Sequence, residues 1–221
     1  SLFGAATAAG GLLPDSFLAA AVNKTMRTIA RQFSAGETLD EAMERITEMD
    51  EMGLSYTLDQ QGEDVQSEKE ADIYHGALLE KIKKVGQRGT VGNSDPNVSL
   101  KVSGLSPISK FQAIIQADLL EAVEAKAILA RVEARIEELL REAMKYGVFV
   151  YIDAERYDQR ELITSVVQRV LMKEEFRYYD RVGIVVQSYM KDARAYTEGL
   201  IKWSEDVRGM KIGFRNVKGT Y

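Results

Sequence analysis

Residues 182–187 read VGIVVQ, an uninterrupted apolar run that ends on a glutamine. An apolar run of this length without polar alternation is typical of a strand buried on both faces, as in a parallel sheet. Residues 148–152 (VFVYI) form a second run, rich in β-branched and aromatic residues, and Asp153 follows it directly. A helix is predicted between the two runs, over residues 159–174. This strand–helix–strand order predicts a right-handed βαβ unit.

The same alternation of strand and helix continues on both sides of this unit. Three further strands and three further helices are predicted from apolar periodicity and capping signals. The strands cover residues 54–58, 98–102 and 210–214, and the helices cover residues 67–85, 117–146 and 192–204. Five strands separated by helices predict a parallel sheet, which fits either a doubly wound fold or part of a (β/α)₈ barrel.

Polar side chains at the strand ends favour the barrel. Nearly every predicted strand ends on a polar or charged residue, and convergent polar groups at the carboxyl ends of strands are where barrel enzymes carry out chemistry. These residues are Asp59, Lys101, Asp153, Gln187, Arg215 and Lys218. No G-x-G-x-x-G follows the first strand, which weakens a dinucleotide-binding interpretation. We therefore predict an α/β fold, a (β/α)₈ TIM-like barrel of which about five βα units are present, with N-terminal helices.

The chain divides in this prediction into an N-terminal helical segment, residues 1–52, and the barrel strands, residues 53–221. Residues 16–34 show the periodicity of an amphipathic helix. A second helix is predicted to begin with a capping box at Thr38 and to stop at Gly53.

The most apolar segment, residues 2–13, is too short to span a membrane and is ended by Pro14. It also lacks the positively charged start of a signal peptide. Peripheral contact with a membrane stays an alternative, because three basic residues follow this segment. They are Lys24, Arg27 and Arg31.

Composition excludes several kinds of site. The 221 residues carry a net charge of −5, so there is no global basic field and nucleic acid is not expected as a main partner. Cysteine is absent, which excludes disulfides, thiolate catalysis and cysteine-metal sites. His75 is the one histidine, so any multi-histidine metal site or Ser-His-Asp triad would depend on it. It lies in a predicted helix, where a structural role is favoured, and no metal is predicted.

The strand-end residues allow two interpretations. One is a buried ion-pair network that fixes the strand register. The other is a pocket for an anionic substrate and a cofactor, since lysine and arginine together can hold a carboxylate. No histidine base, nucleophile or metal cluster lies among these residues, which favours redox chemistry on an organic cofactor over hydrolysis.

Six stretches, in order along the chain, resemble motifs of bacterial FAD-dependent proline dehydrogenases. The last of them is similar to the family signature R-L-V-K-G-A-Y, and the ordered set is more specific than any single motif. The stretches are residues 31–42 (RQFSAGETLDEA), 58–63 (LDQQGE), 98–103 (VSLKVS), 152–155 (IDAE), 182–189 (VGIVVQSY) and 215–221 (RNVKGTY). The chain departs from the family pattern at Gln60, Gln61, Asn216 and Thr220.

The resemblance implies a distorted (β/α)₈ barrel that holds FAD. It implies the oxidation of L-proline to Δ1-pyrroline-5-carboxylate by hydride transfer to the flavin, with the electrons passed to a membrane quinone. The expected protein is thus a cytoplasmic oxidoreductase of proline catabolism. Peripheral contact with the inner membrane, and an aldehyde dehydrogenase as a fused domain or partner, stay open.

The resemblance also implies roles for individual residues. Lys101 would bind the proline carboxylate beside the flavin, and Asp59 would support the substrate pocket through a cation. The remaining matched residues would line or contact the flavin, its ribityl chain or its phosphates. They are Asp153, Ala154, Gln187, Arg215, Val217, Lys218, Gly219 and Tyr221.

The family barrel continues beyond the fifth strand, with a sixth strand carrying Thr-His and a final helix whose arginine pair and glutamate bind proline. We therefore expect the sequence to be a fragment of a longer enzyme, or the missing strands to come from another chain or a second copy. Three alternatives stay open: a non-catalytic or partial flavin-binding barrel fragment, a barrel flavoenzyme of another substrate such as a reduced folate, and a structural scaffold.

Overall fold

The computed structural model describes residues 34–60, 64–92, 94–116, 123–153 and 156–218, together with residues 22, 25 and 26. The chain forms two compact units, Ser1–Met52 and Gly53–Tyr221.

The described part of the first unit contains one complete helix, α1 (Leu39–Glu51). Its capping box is confirmed: the Thr38 hydroxyl accepts from the Glu41 backbone amide at 3.2 Å, and the Glu41 carboxylate accepts from the Thr38 amide at 3.3 Å. The predicted helix over residues 16–34 lies almost entirely outside the described residues; residues 22, 25 and 26 of it are helical.

The second unit alternates helices and strands along most of its length. The helices are α2 (Glu68–Arg88), α3 (Ile108–Gln116), α4 (Val123–Tyr146), α5 (Arg160–Leu171) and α6 (Ala193–Lys202). The strands are β1 (Asn97–Lys101), β2 (Phe149–Asp153), β3 (Val182–Gln187) and β4 (Gly213–Val217). Short 3₁₀ helices follow β1 (Val102–Leu105) and precede α5 (Tyr157–Gln159), and a π-helix (Trp203–Arg208) continues α6.

All four strands are parallel and stand in the order β1-β2-β3-β4. The predicted α/β class with a parallel sheet is therefore confirmed. Strand order follows chain order without reversal, whereas a doubly wound sheet reverses its order at a switch point. One set of alternating strand side chains is apolar and packed away from solvent, as expected where helices cover a sheet. This set includes Val98, Leu100, Val150, Ile152, Val182, Ile184 and Val186.

The predicted strand over residues 54–58 was wrong except at its last residue. Leu58 forms a single parallel bridge with Val98, and its backbone bonds to Asn97 and Ser99 at 3.0 Å each. Leu54 is exposed, whereas Tyr56 and Leu58 are buried, so the first residue of the predicted strand lies outside the core.

The predicted strand over residues 210–214 is displaced toward the carboxyl terminus, since β4 begins only at Gly213. Gly209 adopts the left-handed conformation (φ +74°) after the π-helix, and the Met210 amide bonds back to the Ser204 carbonyl at 3.0 Å. This turn keeps the residues around Met210 out of the sheet. Helix α3 was not predicted from the sequence.

The described residues include no helix long and apolar enough to cross a bilayer.

Candidate functional site

The strand register brings three of the predicted site residues into one row near the carboxyl end of the sheet. Lys101 stands opposite Asp153, Ile152 stands opposite Ile184, and Val185 stands opposite Arg215. Residues in register on parallel strands point to the same face. Lys101, Asp153 and Arg215 therefore lie on the face opposite the buried apolar side chains.

Arg215 connects three strands through its guanidinium group. Nη1 donates to the Ser99 hydroxyl at 2.9 Å, and Nη2 donates to the Asp153 carboxylate. The guanidinium carbon lies 5.0 Å from the centre of the Tyr151 ring, within the range of a cation–π contact. The Nε atom is buried and has no partner among the residues that the structure describes. Arg215 is thus held in place by side chains of β1 and β2, and its Nε donor is unused within the described residues.

Asp153 is a buried carboxylate whose charge depends on its neighbours. Burial raises the pKa of Asp153, the Arg215 cation opposes that rise, and the nearby Asp59 carboxylate adds to it. The ion pair with Arg215 and, to a smaller extent, the Lys101 cation therefore favour the charged form of this carboxylate.

Lys101 ends β1 and is almost fully buried, with 4% of its surface exposed. Its Nζ lies 3.9 Å from a carboxylate oxygen of Asp59, which follows the Leu58 bridge. Its backbone amide donates to the Tyr74 hydroxyl of α2 at 3.2 Å. The two predicted catalytic residues are therefore neighbours, and the cluster of Asp59, Lys101, Asp153 and Arg215 alternates acidic and basic groups.

Two aromatic side chains pack beside this cluster on the same face. The Phe149 and Tyr151 rings are 4.7 Å apart between centres. A Cβ on Gly183 would overlap the Tyr151 ring, and one on Gly213 would lie 2.7 Å from Cζ of Phe149. Glycines at these two positions thus let the rings lie across the neighbouring strands, where Tyr151 supports Arg215. Sequence reasoning missed this packing, although glycine inside a strand is a known signal of close approach.

The other predicted flavin-binding residues differ in burial, and three of them lie outside the described residues. Gln187 is buried at the end of β3 and stands in register with Val217, one level beyond Arg215. Lys218 is exposed just after β4, where its carbonyl accepts from the Tyr189 amide at 3.0 Å. Ala154, Gly219 and Tyr221 lie outside the described residues.

His75 lies in α2, as predicted, and contacts α4 instead of the cluster. Its Nε2 is 3.2 Å from the Arg135 carbonyl and 3.6 Å from a carboxylate oxygen of Glu138. Burial lowers the pKa of His75. No group of three or more acidic or histidine side chains within the described ranges could hold a metal ion.

Comparison with protein families finds one whose model covers most of the chain. A model described as proline dehydrogenase matches residues 42–221. Proline dehydrogenase 1 of Bacillus subtilis (strain 168) is 29% identical over 222 residues, which cover 95% of this chain and 61% of that protein. Bifunctional protein PutA of Escherichia coli (strain K12) is 25% identical over 202 residues, 90% of this chain and 14% of that protein.

The fold is also similar to that of solved structures. The crystal structure of proline utilization A (PutA) from Bdellovibrio bacteriovorus inactivated by N-propargylglycine matches with a TM-score of 0.79 and 27% identity. The match covers 93% of this chain and 22% of that one. The chain thus spans about three fifths of the Bacillus protein and a much smaller part of the PutA proteins.

Proposed function

The chain belongs to the proline dehydrogenase family, and we propose on that premise that it carries part of a flavin-dependent site that oxidises L-proline to Δ1-pyrroline-5-carboxylate. The observation that carries the proposal is the row of Lys101, Asp153 and Arg215 at the carboxyl ends of parallel strands. Chemistry in barrel enzymes is located at this end of the sheet.

FAD is the cofactor that fits this proposal, and it would supply the acceptor for a hydride when bound. The fit is supported by the buried Arg215 Nε, a donor without a partner in the described part of the chain. Arg215, Gln187 and the backbone of Val217 would hold the isoalloxazine side, since a fixed guanidinium suits an electron-rich heterocycle or an anionic oxygen. Asp153 would keep Arg215 in position. Ala154, Lys218, Gly219 and Tyr221 would complete the contacts.

Lys101 is the proposed ligand of the substrate carboxylate. Its ammonium group is removed from solvent, where a charge–charge contact is weakened less by water and salt. Asp59 limits the motion of this ammonium group through their ion pair. The product contains a C=N bond at the carbon next to the ring nitrogen, so that carbon loses a hydride and the nitrogen loses a proton. Holding the carboxylate at one point and the ring at another would orient this carbon for transfer.

Membership of the family also supports proposals for the domain arrangement, the electron acceptor and the partner enzyme. The unit Gly53–Tyr221 would form part of a (β/α)₈ barrel. The segment of residues 1–52 would precede the barrel as a helical segment. The reduced flavin would pass its electrons to a membrane quinone during peripheral contact by a cytoplasmic enzyme, and a fused or separate aldehyde dehydrogenase would use the product.

A visible absorption spectrum of the purified protein, followed by anaerobic addition of L-proline, tests the proposal. A flavin spectrum that bleaches with proline is the expected result. A folded protein without flavin would overturn the cofactor assignment. A flavin that proline leaves oxidised, but that another donor such as a reduced folate bleaches, would overturn the substrate assignment.

A matched pair of variants separates the role of Lys101 from a general effect of charge. Lys101→Met should slow bleaching about 100-fold, because one charged contact to the substrate is lost. Lys83→Met, at an exposed position of α2, should bleach like the wild type. Equal bleaching rates in the two variants would contradict the role proposed for Lys101.

A further inference from the structure

Helix α2 carries a lysine in the stripe of side chains that it buries. Tyr74, Leu78, Lys81 and Val85 follow one another at spacings of four, three and four, so they share one face of the helix. All four are buried, and Lys81 has only 5% of its surface exposed. Lysine is almost never this buried unless it has a partner.

The Nζ atom of Lys81 is buried and has no hydrogen-bond partner within the described residues. Burial lowers the pKa of Lys81 to about 8, the Asp59 carboxylate opposes this shift, and the Lys101 cation adds to it. An unpaired buried ammonium is costly, so a lysine here calls for an explanation beyond packing.

The elements packed against α2 bring few charges to Lys81. The charged residues of α4 that pair with α2 among the described residues interact with the first half of that helix. Arg131 and Arg135 contact Glu68 and Asp72, and Glu138 contacts His75. The 3₁₀ helix after β1 has no charged side chain. Within the described ranges, Asp59 and Lys101 are the charged groups that act on Lys81.

We infer that Lys81 is a positioning residue of this site: its buried ammonium group, which has no hydrogen-bond partner within the described residues, acts through space on Asp59, the carboxylate that Lys101 approaches to 3.9 Å. With Lys81 charged, a further positive charge acts near Asp59 and Lys101 and adds to the attraction for an anion. With Lys81 neutral, this added attraction is lost. Lys81 therefore controls how strongly the site attracts a carboxylate, a consequence that rests on the proposed function.

This arrangement gives the site a pH dependence of known sign. As the pH rises through about 8, Lys81 loses its proton and the affinity for a carboxylate falls. We expect a decrease of about 3- to 10-fold, the size of one charge acting across a partly screened site.

The electrostatic coupling between Lys81 and Asp59 can be tested without any ligand. The protein is labelled with carbon-13 at lysine Cε and titrated across the neutral and alkaline range, and the lysine signals are followed by nuclear magnetic resonance. The Lys81 signal is identified by its absence in Lys81→Met. We expect a midpoint near pH 8 in the wild type and a lower midpoint in Asp59→Asn, because the charge that favours the ammonium is removed. A midpoint in the range of free lysine, or one that Asp59→Asn leaves unchanged, would overturn the inference.

The consequence for binding is tested by calorimetry with cyclopentanecarboxylate, which has the ring and carboxylate of proline but no amine to titrate. The wild type and the control Lys83→Met should lose affinity as the pH rises through 8, and Lys81→Met should bind weakly at every pH. A Lys81→Met protein that keeps the wild-type pH dependence would overturn the inference. No binding by the wild type at any pH would instead count against the proposed carboxylate site, and the lysine titration would still decide the coupling to Asp59.

Discussion

The two ends of the sheet each contain an arginine, one fully buried and one partly exposed, and the two arginines are held in different ways. Arg208, at the amino ends of β3 and β4, is fully buried with 0% of its surface exposed. Its Nε donates to the Arg177 carbonyl at 3.0 Å, and its Nη2 donates to the Phe176 and Tyr179 carbonyls at 3.2 and 2.5 Å. Backbone carbonyls thus provide its close contacts.

Arg215, on the other side of the same sheet, is held by the side chains of Ser99 and Asp153, and its Nε keeps no partner in the described chain. A cation surrounded by carbonyls of the fixed backbone can only hold segments together. A cation held by two side chains, with one donor to spare, can bind a further group. The difference shows that a structural arginine and a candidate ligand-binding one differ in their hydrogen-bond partners as well as in their burial.

Replacing Arg208 with alanine should have the largest effect on folding. The substitution leaves several buried carbonyls without donors, so we expect the free energy of unfolding to fall by about 3–5 kcal/mol. Denaturant unfolding measures this loss. Arg194→Ala, which removes a guanidinium that is 90% exposed, is the control and should leave stability unchanged. A loss below about 1 kcal/mol for Arg208→Ala would remove the contrast between the two ends.

Replacing Arg215 with methionine should affect binding more than folding. We expect the proposed proline oxidation to fall about 100-fold, because a positioned cation is lost from the site. The free energy of unfolding should fall by only about 1–2 kcal/mol, since the Asp153 carboxyl can take up a proton when its partner is removed. Steady-state rates and denaturant unfolding of the same samples test both parts. A stability loss as large as that of Arg208→Ala would show that Arg215 is structural too.

Adding a methyl group at Gly183 tests whether the aromatic packing supports the arginine. Gly183→Ala should cost about 2 kcal/mol of folding free energy, because the new methyl meets the Tyr151 ring and the Gly213 carbonyl. Near-ultraviolet circular dichroism should report the displaced ring. Gly199→Ala, where nothing lies within 4 Å of the new Cβ, should leave stability unchanged or slightly raised. Equal effects at the two glycines would contradict the packing argument.

The smallest expected effect is the pH dependence of stability that Lys81 contributes. Its pKa is lowered to about 8 in the folded protein, so between that pH and its ordinary value the unfolded chain binds more protons than the folded one. Unfolding free energy should therefore rise with pH, by about 1.5 kcal/mol from pH 8 to 9.5. Above pH 10 the sign reverses, because burial raises the pKa of Tyr56 and of Tyr179 to about 12.

Urea unfolding across this pH range measures the effect of Lys81. Lys81→Met should lose the rise between pH 8 and 9.5, and Lys83→Met should keep it. If Lys81→Met retains the full rise, another group causes it.

Much of the sheet could be predicted because its signals are local. The runs around Val150 and Ile184 became β2 and β3 within a residue or so, and the capping signals at Thr38 and Ser67 mark the starts of α1 and α2. The sequence also predicted polar residues at the carboxyl ends of parallel strands. Such ends lie at the same edge of a sheet, so Lys101, Asp153 and Arg215 were expected to lie close together.

The features that were not predicted depend on contacts between distant parts of the chain. The start of β4 depends on the turn at Gly209 and on the carbonyls that hold Arg208, about thirty residues away in sequence. The burial of Lys81 depends on how α2 packs against β1. The position of Lys81 in the helix stripe that begins with Tyr74 could have been predicted from the sequence. The lack of a hydrogen-bond partner for its Nζ within the described residues could not.

The packing of Phe149 and Tyr151 over Gly213 and Gly183 has a consequence for how such sequences can diverge. A side chain larger than glycine at position 183 needs a ring smaller than tyrosine at position 151, and positions 213 and 149 are linked in the same way. We expect the members of each pair to change together among related chains. A substitution that alters one strand of this sheet would then be retained only where the neighbouring strand already carries the compensating residue.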